Sequence, residues 1–183
     1  MKIESGQLAL AAFLMLLFVT HGPARASEQY PSLDEECFND HAGVLGGRDR
    51  ATIKSLCRKA AKGKVDMMVV TVKSLDDFRP RPLSVDRFVD TVFEDWDIGY
   101  EDGKNAVLLF VSIKENEFRI VMGDNYTDRL RKKARGIIRN SLVPAFRHRR
   151  RSLGLRKAYD ALYHKIVTLQ IKTLEKAKHR KGH

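Results

Sequence analysis

The sequence predicts an α/β protein, a three-layer α-β-α sandwich with a small mixed sheet flanked by helices on both faces. Three observations carry that prediction. Two nearly unbroken apolar runs, Val65–Val72 and Ala106–Ile113, read as strands covered on both faces. A short hairpin joins the second run to a strand in which Phe118, Ile120 and Met122 alternate with polar residues. Amphipathic helical stripes stand before, between and after these strands. The resulting order α-β-α-β-β-α-α packs as helices on both sides of one sheet.

The elements follow in order along the 183 residues. Met1-Lys2, the uncharged run Leu8–Val19 and the small-x-small triplet Ala24-Arg25-Ala26 read as a secretory signal peptide cleaved after Ala26. Its apolar core is short for a membrane span, although an uncleaved anchor remains the competing reading. No later stretch reaches spanning length. Residues 27–38 are polar and extended. Gly46-Gly47 breaks the chain before a helix over about 49–62, which Gly63 stops. Pro80 and Pro82 mark a loop after the first strand, and Ser84 caps a helix with the stripe Val85, Phe88, Val89, Val92 and Phe93. Lys114–Glu117 forms the hairpin loop. The third helix carries Leu130, Ala134, Ile137, Ile138 and Leu142 on one face, and Pro144 ends or kinks it. A last helix from about Leu153 to about Ala177 packs through Leu155, Ala158, Leu162, Ile166 and Leu169.

Several short pieces then line up with a known family. They are Asn39-Asp40 with Gly43-Val44-Leu45, Val69–Val72, Trp96-x-Ile98-Gly99, Asn105–Leu109, Arg119-Ile120-Val121-x-Gly123, and Ile137-Ile138 leading to Pro144–Arg147. In order and spacing they resemble the TPM-domain family, a group of exported and lumenal proteins that includes thylakoid-lumen phosphatase-like members. The resemblance covers about Asn39 to Leu162 and implies the same α/β fold. It divides the chain into a signal peptide (1–26), an extended segment (27–38), a TPM-like domain (39–165) and a helix end with a basic tail (166–183). The chain looks like a basic, divergent, bacterial-type exported member.

Family members with a full acidic set are associated with calcium binding and acid phosphatase activity. The resemblance therefore implies Asp40, Asp102, Asn105 and Asp124 as candidate metal ligands, with calcium as the cofactor. This chain departs from the pattern in three places. Lys104-Asn105-Ala106 replaces the usual Asp-Asn-Gly, Gly123–Thr127 replaces Gly-x-Gly-Leu-Glu, and Lys132 falls where an Asp is expected. A hard dication needs several oxygen ligands, and an ammonium nearby competes for them. The alternative reading of Asn39 and Asp40 is that they hydrogen-bond the following turn.

Cys37 and Cys57 read as a disulfide, since an even pair in an exported chain favours one. A bridge closing a loop of that size stabilises by about 3 kcal/mol. Cys57 also lies on the apolar stripe Ile53–Leu56–Cys57–Ala60, so a buried thiol competes. The histidines are scattered, and no nucleophile elbow, phosphate loop or dinucleotide fingerprint occurs.

The formal net charge is +11, and cleavage after Ala26 removes only two basic residues and one acidic one. From Arg129 to Lys157 there are twelve Lys or Arg and no Asp or Glu, whereas Asp76 to Asp102 holds nine acidic residues against three Arg. Arg131, Lys132, Arg135 and Arg139 fall on the polar face of the third helix, and Arg147, Arg149, Arg150 and Arg151 cluster beside it. A solvated face competes here with a docking surface for an anionic membrane or an acidic envelope protein. Nucleic acid is not expected, because no aromatic residues interleave the charges and the signal peptide directs the chain outward. The function expected is a non-catalytic binding or modulating module of the cell envelope, periplasmic or secreted, docking through its basic face. The alternative is a calcium-dependent, acid phosphatase-like enzyme.

Overall fold

The computed structural model describes residues 29–99 and 104–181. The signal-peptide segment with Ala26, and Asp102, lie outside them. One four-stranded sheet organises the molecule, in the order β1-β2-β3-β4. β1 (Phe38–Asp40) runs parallel to β2 (Asp66–Val72), which runs parallel to β3 (Ala106–Ser112); β4 (Glu117–Met122) returns antiparallel to β3. The sheet is mixed, as the two apolar runs and the hairpin require.

Helices α1 (Gly47–Lys62), α3 (Asp128–Arg147) and α4 (Arg151–Leu162) share one face, where Ile53, Ala134, Leu142 and Leu155 cluster with Met67, Val69, Leu109 and Met122. Helix α2 (Val85–Asp95) covers the other face through Phe88, Val89 and Val92 against Val70, Leu108 and Phe110, joined by Leu75, Phe78 and Ile98. Every residue of β3 is buried, because both of its faces are roofed and both of its edges are paired. Apolar burial at about 25 cal/mol per Å² makes these two clusters the main source of stability. The sandwich expected from the element order is thus present in all three layers.

Four local readings are corrected. β1 begins at Phe38, inside the segment read as merely extended. Pro144 does not end α3, which continues to Arg147. The carbonyl that loses its partner to the proline belongs to Asn140, which is exposed and can turn to water. The last helix holds a π turn at Tyr163–Val167 before α5 (Thr168–Lys181). The wider turn rotates α5 about its axis, so Gln170 is buried at 4% exposure while Leu169, expected on the packing stripe, stands 41% exposed. Glu117, read as the last loop residue, opens β4.

The hairpin of α3 and α4 depends on one close approach. A Cβ on Gly154 would lie 2.4 Å from the Cβ of Ala145, so only glycine lets the two helices meet there. That contact fixes the corner at which Arg147, Arg149 and Arg150 emerge.

Candidate functional site

The candidate acidic residues come first. Asp40 ends β1, and its side chain is 2% exposed. Its Oδ1 accepts from the Val44 amide at 3.0 Å and the Thr71 hydroxyl at 2.5 Å; its Oδ2 accepts from the Leu45 amide at 2.9 Å and from Arg50 at 2.8 Å. Burial pushes the carboxyl up, but the bonds from Thr71, Leu45, Val44 and Arg50 outweigh it and hold Asp40 below the usual aspartate range. Asn39 is engaged likewise. Its Oδ1 accepts from the amides of Asp34 and Glu35, and its Nδ2 donates to the Glu35 carbonyl. The pair ties β1 to the loops on either side, which is the turn-bonding alternative in atomic form.

Asn105 sits at the opposite end of the sheet. The register aligns Asp40 with Thr71 and Val111, whereas Asn105 precedes Ala106, the partner of Asp66. Six residues of strand separate the two levels, about 20 Å at roughly 3.3 Å per residue. Asn105 is buried, and its Oδ1 accepts from Asn125 and from Gln170, each at 3.0 Å. Asp124 is exposed near that end, where the Asn125 amide donates to the Lys104 carbonyl. Asp40 therefore does not share an ion with Asn105 and Asp124, because strand register places it at the far end of the sheet from them, and Asp102 lies outside the described residues. Among the described residues, no three His, Cys, Asp or Glu side chains gather as a metal site. Asp40, Asn105 and Asp124 do not fit one resident calcium ion.

A different acidic feature was not legible in the sequence. A cleft of about 530 Å³ is lined by Asp34, Glu35, Glu36, Asp66 and Asp97 around Trp96. Its carboxylates come from separate segments of chain, so no spacing could reveal them. Burial pushes Asp66 up, the Gly99 backbone bond partly offsets this, and the neighbouring Glu36 adds to it. Beside the cleft, Cys37 and Cys57 form the expected disulfide, with their Cα atoms 5.7 Å apart, and link β1 to α1.

The basic residues divide into two groups. Arg131 is spent on the fold. Its guanidinium donates to the carbonyls of Tyr126, Met122 and Gly123 at 3.2, 2.6 and 2.7 Å, closing the end of β4 onto α3. Arg151 is half-buried and lies over the Phe146 ring at 5.8 Å. The remainder are exposed. Lys132, Arg135 and Arg139 form a stripe at i, i+3 and i+7 of α3, with Lys133 beside it, and Arg147, Arg149 and Arg150 occupy the α3–α4 corner. None of these seven takes part in an ion pair among the described residues. Like charges spaced three and four apart on a helix cost a few tenths of a kcal/mol per pair. An anionic partner would relieve that cost, whereas the fold draws nothing from it.

Comparison with known proteins bears on the scaffold. The family model described as the TPM domain matches residues 38–165. The chain is similar to the N-terminal domain of a protein from P. gingivalis, with 23% identity, 70% of this chain and 80% of that chain covered, and a TM-score of 0.58. It is also similar to the N-terminal domain of the cg2496 protein from Corynebacterium glutamicum, with 14% identity, coverage of 74% and 83%, and a TM-score of 0.53. At these identities the likeness concerns the fold. No curated protein sequence matches.

Proposed function

The chain belongs to the TPM-domain family, and from that premise we propose that it is a non-catalytic binding module of the cell envelope that docks an anionic partner through the α3 face. One observation carries the reading: seven exposed cations lie on one helix and its following corner, and no acidic side chain among the described residues is paired to any of them. The dispersal of the carboxylates supports the non-catalytic part. A phosphoryl-transfer site assisted by calcium needs its oxygens on one ion, and here Asp40 is set apart from Asn105 by strand register while both are already hydrogen-bonded. The disulfide is compatible with an exported protein. No helix among the described residues is long and apolar enough to cross a membrane.

The test is retention of the mature chain on anionic lipid vesicles and, separately, on immobilised envelope extract. Wild type is compared with the triple variant Lys132→Glu, Arg135→Glu and Arg139→Glu. Retention should fall as salt rises, because exposed charges are screened within about 8–10 Å at physiological ionic strength. The triple variant should bind at least about tenfold more weakly. Equal retention of the two proteins, or none by either, would remove the proposal. Hydrolysis of a generic phosphomonoester together with a rise in melting temperature at millimolar calcium would favour the enzyme instead.

A further inference from the structure

The α3 face borders a structured groove. A concavity of about 560 Å³ is bounded by Phe118, Arg119 and Ile120 of β4, by Arg135, Ile138 and Arg139 of α3, and by Asp86 of α2, whose carboxylate is already paired with Arg119. Its floor is apolar and two of the unpaired arginines stand on its rim. β4 is the last strand of the sheet, and among the described residues its outer backbone edge has no neighbouring strand. Unlike β3, it is only half-buried from Glu117 to Val121.

The pairing pattern identifies which backbone groups face outward. The Gly123 amide donates to the Ala106 carbonyl, so Gly123 and Ala106 are a hydrogen-bonded pair. Alternation then turns the backbone of Val121, Arg119 and Glu117 toward β3 and that of Met122, Ile120 and Phe118 away from it. Two of the outward carbonyls are already occupied. Arg119 donates to that of Phe118 at 3.0 Å, and Arg131 to that of Met122 at 2.6 Å. Three amides and the single carbonyl of Ile120 are left. An edge of this kind offers more donors than acceptors.

We infer that β4 takes up a short, extended, acidic peptide segment of a partner protein as a fifth strand centred on Ile120, with Arg135 and Arg139 receiving its carboxylates. This rests on the proposed docking role of the α3 face and names the class of partner. An added strand supplies the carbonyls that the three amides lack and buries apolar side chains against Phe118, Ile120 and Ile138. A second copy of this chain is a poor occupant. It would present another donor-rich edge and bring like charges from two basic faces together. A membrane surface is also a poor occupant, since headgroups lying across the face would not enter the groove in strand register.

The probe is an end-blocked peptide with threonine at every second position and valine and glutamate taking turns at the positions between, so that valine and glutamate share the face toward α3, compared with the same peptide N-methylated on alternate amides and with a version carrying lysine for glutamate. Binding is followed by fluorescence anisotropy and by amide hydrogen exchange of the full mature chain. The expected result is binding of the glutamate peptide with new protection at the amides of Phe118, Ile120 and Met122. The N-methylated and lysine peptides and the double variant Arg135→Glu, Arg139→Glu should each bind at least about tenfold more weakly, with the variant's melting temperature unchanged. Binding without protection of those amides, or equal binding of the N-methylated peptide, would reduce the contact to charge attraction and overturn strand addition while leaving the docking face intact. Retention on anionic vesicles without peptide binding would also overturn it and identify lipid as the partner. Binding to neither would remove the docking face itself.

Discussion

The turn after β1 and the exposed face of α3 handle charge in opposite ways. At the turn, Asp40 is buried, and each carboxylate oxygen has two donors: the Val44 amide and Thr71 on one, the Leu45 amide and Arg50 on the other. On α3, Lys132, Arg135 and Arg139 are exposed and take no ion-pair partner among the described residues. The first arrangement converts charge into fold, since removing the carboxylate strands several donors. The second makes no ion pair with the fold among the described residues. Both regions are charge-rich in the sequence, and only the structure separates a charge that is consumed from one that is available.

The largest effect expected is at the turn. Asp40→Ala leaves the Val44 and Leu45 amides and the Thr71 hydroxyl without an acceptor, which costs about 3 kcal/mol at the usual penalty for stranded groups. Lys132→Ala and Arg139→Ala should each change stability by less than about 0.5 kcal/mol. Urea denaturation of the three variants measures the contrast directly. Equal midpoints would erase the distinction between the two regions.

A finer version of the comparison lies within α3 itself. Arg131 and Arg135 are one turn apart and both read in the sequence as members of a basic face. Arg131→Ala removes three charge-assisted bonds to carbonyls at the end of β4 and should cost about 2 kcal/mol. Arg135→Ala should leave stability within about 0.5 kcal/mol and weaken partner binding instead. If Arg131→Ala proves as silent in denaturation as Arg135→Ala, the three bonds do not contribute to the fold.

Periodicity made the scaffold legible before the site. Alternating or continuous apolar runs mark β2, β3 and β4, because a strand buried on one or both faces must show its covering in its side chains. β1 escaped notice because three residues are too few to display a period. The rotation at the π turn escaped because it replaces an apolar residue, Leu169, with an amide, Gln170, whose burial depends on Asn105, distant in sequence. The basic segment was legible as a run of one sign. Removing Arg131 and Arg151 from the docking set required their partners, a strand end and an aromatic ring, which sequence spacing does not reveal. The grouping of Asp40 with Asn105 failed for a related reason: parallel strands can carry residues of similar type to opposite ends of one sheet.

The smallest effect sets Asp40 against a second aspartate, Asp66, at the other end of the same sheet. Both carboxyls are removed from bulk water, yet burial wins at Asp66, where the Gly99 backbone bond is outweighed and Glu36 adds repulsion. The two should therefore impose opposite pH dependences. The stability that Asp40 contributes is present above its unfolded value of about 3.9 and is lost as the pH falls through its lower folded value. Asp66, raised in the folded state, costs stability at neutral pH. That cost shrinks as the pH falls through its folded value and is gone below about 3.9. Asp66→Asn keeps an oxygen for the Gly99 amide and removes the charge, so it should raise stability by a few tenths of a kcal/mol at pH 7, with the gain disappearing in acid. Thermal melts of wild type and Asp66→Asn across that range would show the two curves converging at low pH. An Asn variant less stable than wild type at pH 7, with that deficit vanishing in acid, would instead mean that the Asp66 carboxylate is held by an interaction stronger than its burial.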